Sequence, residues 1–270
     1  MVYCNCDDYR HSQFVEFFIN NFEGFQLRRL VATAYNPEGC GLMYLFDGIN
    51  PQVSVIEGDG SYRSEACMSL LREADIVVTN PPFSIFREYI DTLMSLDKKF
   101  IVIGNNNAIT CKNMWNYFTE GKLWFGIRSN FTMRFRIPND YENYSFIDEN
   151  GVKYTRLSCI SWYTNVNHGQ NNPPLELTET YEEGKYDRYE NYDAIEVPRN
   201  KLIPKDYNGV MGVSITLLNI LCKEQFEVIG ITSNFDCNDK LERIRTDNNR
   251  RDRGVINGKR CYARILIKKR

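Results

Sequence analysis

The run Asp75-Ile76-Val77-Val78-Thr79-Asn80-Pro81-Pro82-Phe83 constrains this chain more than any other segment: a short apolar strand pattern stops on two prolines, and helical spacing follows at once. Each proline disfavours the α region for the residue before it, so Asn80 and Pro81 are both kept extended. Pro82 has no N–H, so the Pro81 carbonyl lies outside a regular ladder and can face a cleft. In a chain of alternating strands and helices, the carboxyl end of such a strand is where an open α/β sheet holds its ligand.

The Asn80 side-chain oxygen and the Pro81 carbonyl then form two acceptors side by side. They suit an NH2 group with two hydrogens to donate, such as the exocyclic amine of adenine or a carboxamide. Phe83 offers a flat apolar face on which a base can stack. The plainer alternative is a strand-to-helix turn with Phe83 in the core. Asn172-Pro173-Pro174-Leu175 repeats the tripeptide, but it follows a polar stretch and lacks the aromatic, so it reads as a loop.

Around this motif the apolar period keeps switching. Strand patterns cover Val2 to Cys4, Leu30 to Ala34, Gly39 to Gly48, Val53 to Glu57, Ile76 to Thr79 and Phe100 to Ile103. Helical spacing covers Ser12 to Phe22, Ser64 to Leu71 and Ser84 to Leu96, and suits Met114, Trp115 and Phe118. Alternation of this kind predicts a mainly parallel sheet covered on both faces. Beyond about Gly121 the character changes. Leu123 to Gly126, Thr132 to Ile137 and Leu157 to Trp162 read as strands without regular helices between them, and Leu202 to Ile229 and Cys261 to Ile267 add further strand patterns. The acidic stretch from Glu176 to Glu196, with Tyr186, Tyr189 and Tyr192 spaced by three, reads as a packed excursion over the core.

At 270 residues and 43% apolar content the chain suits one large α/β domain, or one domain with an elaboration. No apolar stretch is long enough to span a bilayer and no signal-like segment opens the chain, which predicts a soluble, cytoplasmic protein without membrane association. Nine cysteines, an odd number with no Cys-x-x-Cys pair, fit reduced thiols. His11 and His168, the only histidines, lie far apart, and no metal site is expected.

The net charge of −2 hides an asymmetry. From Leu241 to Arg270 eight Arg and three Lys stand against Glu242, Asp247 and Asp252, a net +8. Within it Arg243, Arg245, Asn248, Asn249, Arg250, Arg251 and Arg253 read as a loop of groups that reach phosphates and base edges, which favours nucleic acid over a merely solvated surface.

Asn-Pro-Pro-Phe at a strand end resembles the catalytic motif of amino-methyltransferases that use S-adenosylmethionine. The wider pattern is similar to the EcoRI-type adenine-specific DNA methyltransferases: Val2 to Asp8, Glu57 to Ser64, Ala74 to Ile90, Ile103 to Thr110 and Asn257 to Arg264, in that order and over nearly the whole chain. The resemblance implies a doubly wound, Rossmann-like methyltransferase core in residues 1–120. Residues 121–270 would supply the remaining strands and a β-rich DNA-recognition region. It implies transfer of a methyl group from S-adenosylmethionine to N6 of a flipped adenine. Asn80, Pro81, Pro82 and Phe83 would be catalytic, and Asn5, Asp7, Asp8 and Asp59 would bind the cofactor. The implied setting is a monomer acting on double-stranded DNA, with a cognate restriction endonuclease as companion.

The chain departs from the family pattern in three places. Asn5-Cys6-Asp7-Asp8 stands where many such enzymes carry a glycine-rich loop. Tyr35-Asn36 offers no carboxylate at the end of the second strand. An aromatic-containing segment normally precedes the first strand, whereas Met1 begins almost on it, and weaker cofactor binding is the expectation. For Asp7 and Asp8 the competing reading is helix capping ahead of Ser12, and for Asp59 an Asp-Gly turn. Two other functions share these residues: a methyltransferase for ribosomal RNA or a protein glutamine, and a DNA-binding remnant with weakened catalysis.

Overall fold

A computed structural model describes residues 1–126, 133–157, 159–167, 172–233, 238–246 and 253–270. The chain forms two compact units. Met1–Asn105, Gly121–Gly126 and Ile160–Asn167 make the first; Asn106–Glu120, Ile127–Cys159 and His168–Arg270 make the second.

The first unit is α/β, built on an eight-stranded sheet. Its strands are β1 (Val2–Cys4), β2 (Leu30–Ala34), β3 (Gly41–Phe46), β4 (Pro51–Ile56), β5 (Ile76–Thr79), β6 (Lys99–Asn105), β7 (Trp124–Phe125) and a last strand, Ile160–Thr164. Across the sheet they run β4, β3, β2, β1, β5, β6, Ile160–Thr164, β7. The centre, β2 to β6, is parallel. Both flanks are antiparallel, so the sheet as a whole is mixed. The short links from β2 to β3 and from β3 to β4 explain one flank, since a parallel return needs a crossover of a dozen or more residues.

Helices α1 (Gln13–Asn20), α2 (Glu65–Glu73) and α3 (Phe86–Ser95) follow the strand ends. Ser12 and Ser64 start α1 and α2 by accepting the backbone N–H of Val15 and Cys67. The three residues of β1 show how the sheet is covered. Val2 and Cys4 sit in a core with Val15 and Ala32, against Phe14, Phe18 and Ile19. Tyr3 faces the other way, its hydroxyl 2.9 Å from Thr33 Oγ1 and near Cys67 of α2 and Tyr89 of α3. α3 buries Phe86, Tyr89, Ile90 and Leu93, an i, i+3, i+4, i+7 stripe. The Phe86 ring fills the space above Gly104 of β6, where a Cβ would come within 2.2 Å of it. The same ring lies 5.1 Å from that of Tyr163.

The second unit holds the helix Lys112–Thr119 and three small sheets. In one, Ala194–Glu196 runs parallel to Val210–Ser214, and Arg264–Lys269 and Phe226–Ile231 continue it antiparallel. A second is antiparallel, with Lys153–Leu157 between Met133–Arg136 and Phe146–Ile147. The third is the hairpin Val255–Ile256 and Lys259–Arg260, whose turn residues Asn257 and Gly258 both have positive φ. The tyrosines of the acidic stretch are buried as expected: Tyr189 and Tyr192 pack with Ala194, Val210 and Leu266. Tyr189 donates its hydroxyl to Glu196, which also pairs with Arg264.

One expected strand is overturned. Leu157 to Trp162 is not continuous: Leu157 ends a strand of the three-stranded sheet, and Ile160 begins the strand beside β6. The apolar pattern runs on because both sides are sheet, but the two sides belong to different sheets.

Candidate active site

The Asn-Pro-Pro-Phe motif leaves β5 and enters α3 through one tight turn, in which Ile85 N–H donates to Pro82 O at 3.1 Å. Pro81 is buried, and Asn80, Pro82 and Phe83 are exposed. Among the described residues neither the Asn80 side chain nor the Pro81 carbonyl has a hydrogen-bond partner. Beside them Phe83 is 47% exposed, far from the core position of the plainer alternative. The second Asn-Pro-Pro is a loop, as expected. Its Asn172 is consumed internally, donating Nδ2 to the carbonyls of Asn219 and Leu221.

Asp7 fixes the base of the motif. Its carboxylate accepts from Ser12 Oγ at 2.8 Å and from Thr79 Oγ1, and the Asn80 backbone N–H faces it as well. Thr79 Oγ1 is oriented in turn by accepting Cys6 N–H at 3.2 Å. Asn80, the first residue of the motif, is thereby tied to the ends of β1 and β5 and to the start of α1. Burial pushes the Asp7 carboxyl above its ordinary range, against the pull of these three donors. Asp8 is different: Arg10 binds both its oxygens and holds its carboxyl below the usual range. The Asp8 carbonyl accepts the N–H of His11 and Ser12, so both aspartates also serve the start of α1.

Asn5 lies 1% exposed at the end of β1. Its Oδ1 accepts the hydroxyl of Tyr89 from α3, and its Nδ2 is a buried donor with no acceptor. Asp59 forms the turn that its Asp-Gly dipeptide foretold, with Oδ1 accepting Ser61 N–H at 2.8 Å. The Asp59 carbonyl takes Asn36 N–H just past the end of β2. Next to it Gly60, at φ 74°, lies so close to β2 that a Cβ would stand 2.3 Å from Ala34 O. Tyr62 and Arg63 then reach Glu88 of α3 at 3.0 and 2.7 Å. Asp7 is thus fastened to β5, and Asn5 and the Asp59 loop to α3, the two elements that flank the Asn-Pro-Pro-Phe motif.

Sequence reasoning missed Ser12, Thr79 and Tyr89 in this arrangement. Thr79 was signalled: a polar residue closing an apolar strand needs a partner once buried, and Asp7 ends the neighbouring strand.

In the second unit Arg243 and Arg253 are exposed. The Arg245 side chain is 7% exposed and lies over the Tyr192 ring, 3.6 Å from Glu242. Asn248, Asn249, Arg250 and Arg251 lie outside the described residues. The flanks of that stretch are fastened to one buried residue: Asn191 O accepts Thr246 N–H, and Asn191 Nδ2 donates to Arg253 O at 2.9 Å. Among the described residues no His, Cys, Asp or Glu cluster could hold a metal, and no helix is long and apolar enough to cross a membrane.

The family described as "Adenine-specific methyltransferase EcoRI" matches residues 1–49 and 45–270. The chain belongs to this EcoRI methyltransferase family. It is 41% identical over 294 residues to the Type II methyltransferase M.EcoRI of Escherichia coli, covering 99% of this chain and 85% of that one. It is 37% identical to Type II methyltransferase M.MgeORF184P of Mycoplasma genitalium, over 99% of this chain and 87% of that one. Against Type II methyltransferase M.MpnI of Mycoplasma pneumoniae the identity is 35%, over 100% and 88%. No solved structure matches the chain. The EcoRI methyltransferase family match takes in all the motif residues, Asn80 to Phe83 included.

Proposed function

We propose that this protein transfers a methyl group from S-adenosylmethionine to N6 of an adenine flipped out of duplex DNA. The observation that carries the reading is the pair of open acceptors, the Asn80 side chain and the Pro81 carbonyl, beside the exposed Phe83 ring. Adenine N6 is a poor nucleophile because its lone pair is delocalised into the ring. Accepting both of its hydrogens favours a pyramidal nitrogen with the lone pair turned out of the ring plane. Asn80 and Pro81 also stabilise the positive charge that develops on N6 as the N–C bond forms, and no strong base is needed. The surplus proton leaves N6 to solvent. Phe83 stacks on the flipped base, whose extrusion costs roughly a few kcal/mol.

When bound, the cofactor supplies a methyl group on a sulfonium, which departs as a neutral thioether. The residues at the ends of β1 and β2 fit such a group. The orphaned Asn5 Nδ2 is a buried donor awaiting an acceptor. The close approach of Gly60 to β2 brings the backbone of the Asp59 turn beside the same sheet end. Asn5 and Asp59 would hold the cofactor directly. Asp7 and Asp8, occupied by Ser12, Thr79 and Arg10, would support the site from beneath.

The same reading takes the first sheet as a doubly wound, Rossmann-like core. Residues 1–120 would bind cofactor and catalyse; residues 121–270 would complete the sheet and recognise the target, with Arg243, Arg253 and the stretch between them on DNA. It places a monomer in the cytoplasm, beside a cognate restriction endonuclease. The test is transfer of labelled methyl into duplex DNA, RNA and protein, with digestion to nucleosides. We expect label in N6-methyladenine from DNA, and a fall of about 100-fold or more in Asn80→Ala. Undiminished transfer by that variant, or label in RNA or glutamine instead, would overturn the reading.

A further inference from the structure

The three-stranded sheet of the second unit carries a surface that the tail arginines do not explain. Pairing sets Arg134 directly opposite Arg156, and Arg136 opposite Tyr154, which in turn pairs with Phe146. Directly paired residues share a face, and so do residues two apart on a strand, so these five side chains stand together. Phe146 and Tyr154 stack with centroids 5.1 Å apart and planes within 9°. The guanidinium groups of Arg134 and Arg156 both lie over the Phe146 ring, 5.5 and 4.9 Å from its centroid.

All three arginines are exposed. Arg136 has a counterion nearby in Asp148, whose carboxylate also takes the Tyr154 hydroxyl. Arg134 and Arg156 have no carboxylate partner among the described residues. Like charges set directly opposite across a strand pair repel, and here one ring draws them together. Such a focus of two unneutralised planar cations beside a stacked aromatic pair suits a bridging anion, and a phosphodiester presents its two free oxygens to such forks.

We propose that this sheet face is a second DNA-backbone contact, in which Arg134 and Arg156 grip phosphate while the Phe146–Tyr154 stack holds them in place. The inference rests on the reading of the protein as a DNA methyltransferase and extends the contact surface beyond the basic tail. The alternation Met133-Arg134-Phe135-Arg136 and Tyr154-Thr155-Arg156 carried this signal in the sequence, but only the strand register brings the two arginines together.

The experiment measures duplex binding by the full chain as a function of salt, with wild-type methyl transfer assayed on the same preparation and melting as a folding control. Removing two phosphate contacts in R134A/R156A should flatten the slope of log affinity against log salt by about 1.8. R134K/R156K should keep the slope, because it keeps the charges. Phe146→Leu should weaken binding with the slope unmoved. An unaltered slope in the alanine variant, with wild-type transfer to DNA intact, overturns this inference alone, and weakened capture of an acidic protein at the same time would assign the face to that partner. Absence of both transfer and binding in the wild type overturns this inference and the methyltransferase reading together.

Discussion

At the scale of single residues the site depends on which groups are spoken for and which are left open. Asp7 has three internal donors, whereas the Asn80 side chain and the Pro81 carbonyl have none, and under the function proposed above this asymmetry would separate support from chemistry. Asp7→Ala would strand the buried Thr79 hydroxyl and the half-buried Ser12 hydroxyl, and should cost roughly 1–3 kcal/mol of stability by urea unfolding. Asp7→Asn keeps one acceptor. Under the function proposed above Asp7 would act through the placement of Asn80, so the kinetic mark of this variant should be a fall in kcat with KM for DNA nearly unmoved; a rise in KM alone would contradict the positioning role. The sign of the pH effect follows from burial. A carboxyl whose folded pKa is raised contributes stability that is full below its unfolded pKa and is lost as pH rises through the folded value. The stability of Asp7→Asn relative to wild type should therefore improve on going from acid to neutral pH, and a flat difference would contradict it.

At the scale of elements the first unit works by close approach. Gly60 is the sharpest instance, with a positive φ and a neighbouring carbonyl that leaves no space for a methyl group. Gly60→Ala should destabilise by roughly 2–4 kcal/mol, measured by urea unfolding, since strain and clash add. A loss below about 0.5 kcal/mol would mean that the Asp59 loop can move off β2. Much of this level was legible in the sequence. The strands Val2–Cys4, Leu30–Ala34 and Ile76–Thr79 and the starts of α1 and α2 are local matters of apolar period and serine caps. Leu157 to Trp162 was not, because periodicity reports that a face is buried and not which sheet buries it. The hairpin at Asn257-Gly258 was overlooked although the dipeptide announces it. The convergence of Arg134 and Arg156 depends on cross-strand register, which no local pattern specifies.

At the scale of the whole molecule the chain leaves its first unit at Asn105, returns for Gly121–Gly126, leaves again and returns at Ile160. The late strand matters to the site: Tyr163, 1% exposed, packs on Phe86 at the start of α3 and on Phe125 of β7. A fragment ending at Gly126 should therefore show no cooperative thermal transition by circular dichroism, and a sharp one would contradict this account. The same topology sets a clock on biosynthesis. Some 33 residues separate Gly126 from Ile160, so at roughly 5–20 residues per second the ribosome needs about 2–7 s to deliver the strand that covers β6. Throughout that interval the nascent sheet has a bare edge beside the element bearing Asn80. The first unit thus cannot close its sheet before Ile160–Thr164 has been made, and the nascent chain offers chaperones a defined period in which to guard that edge.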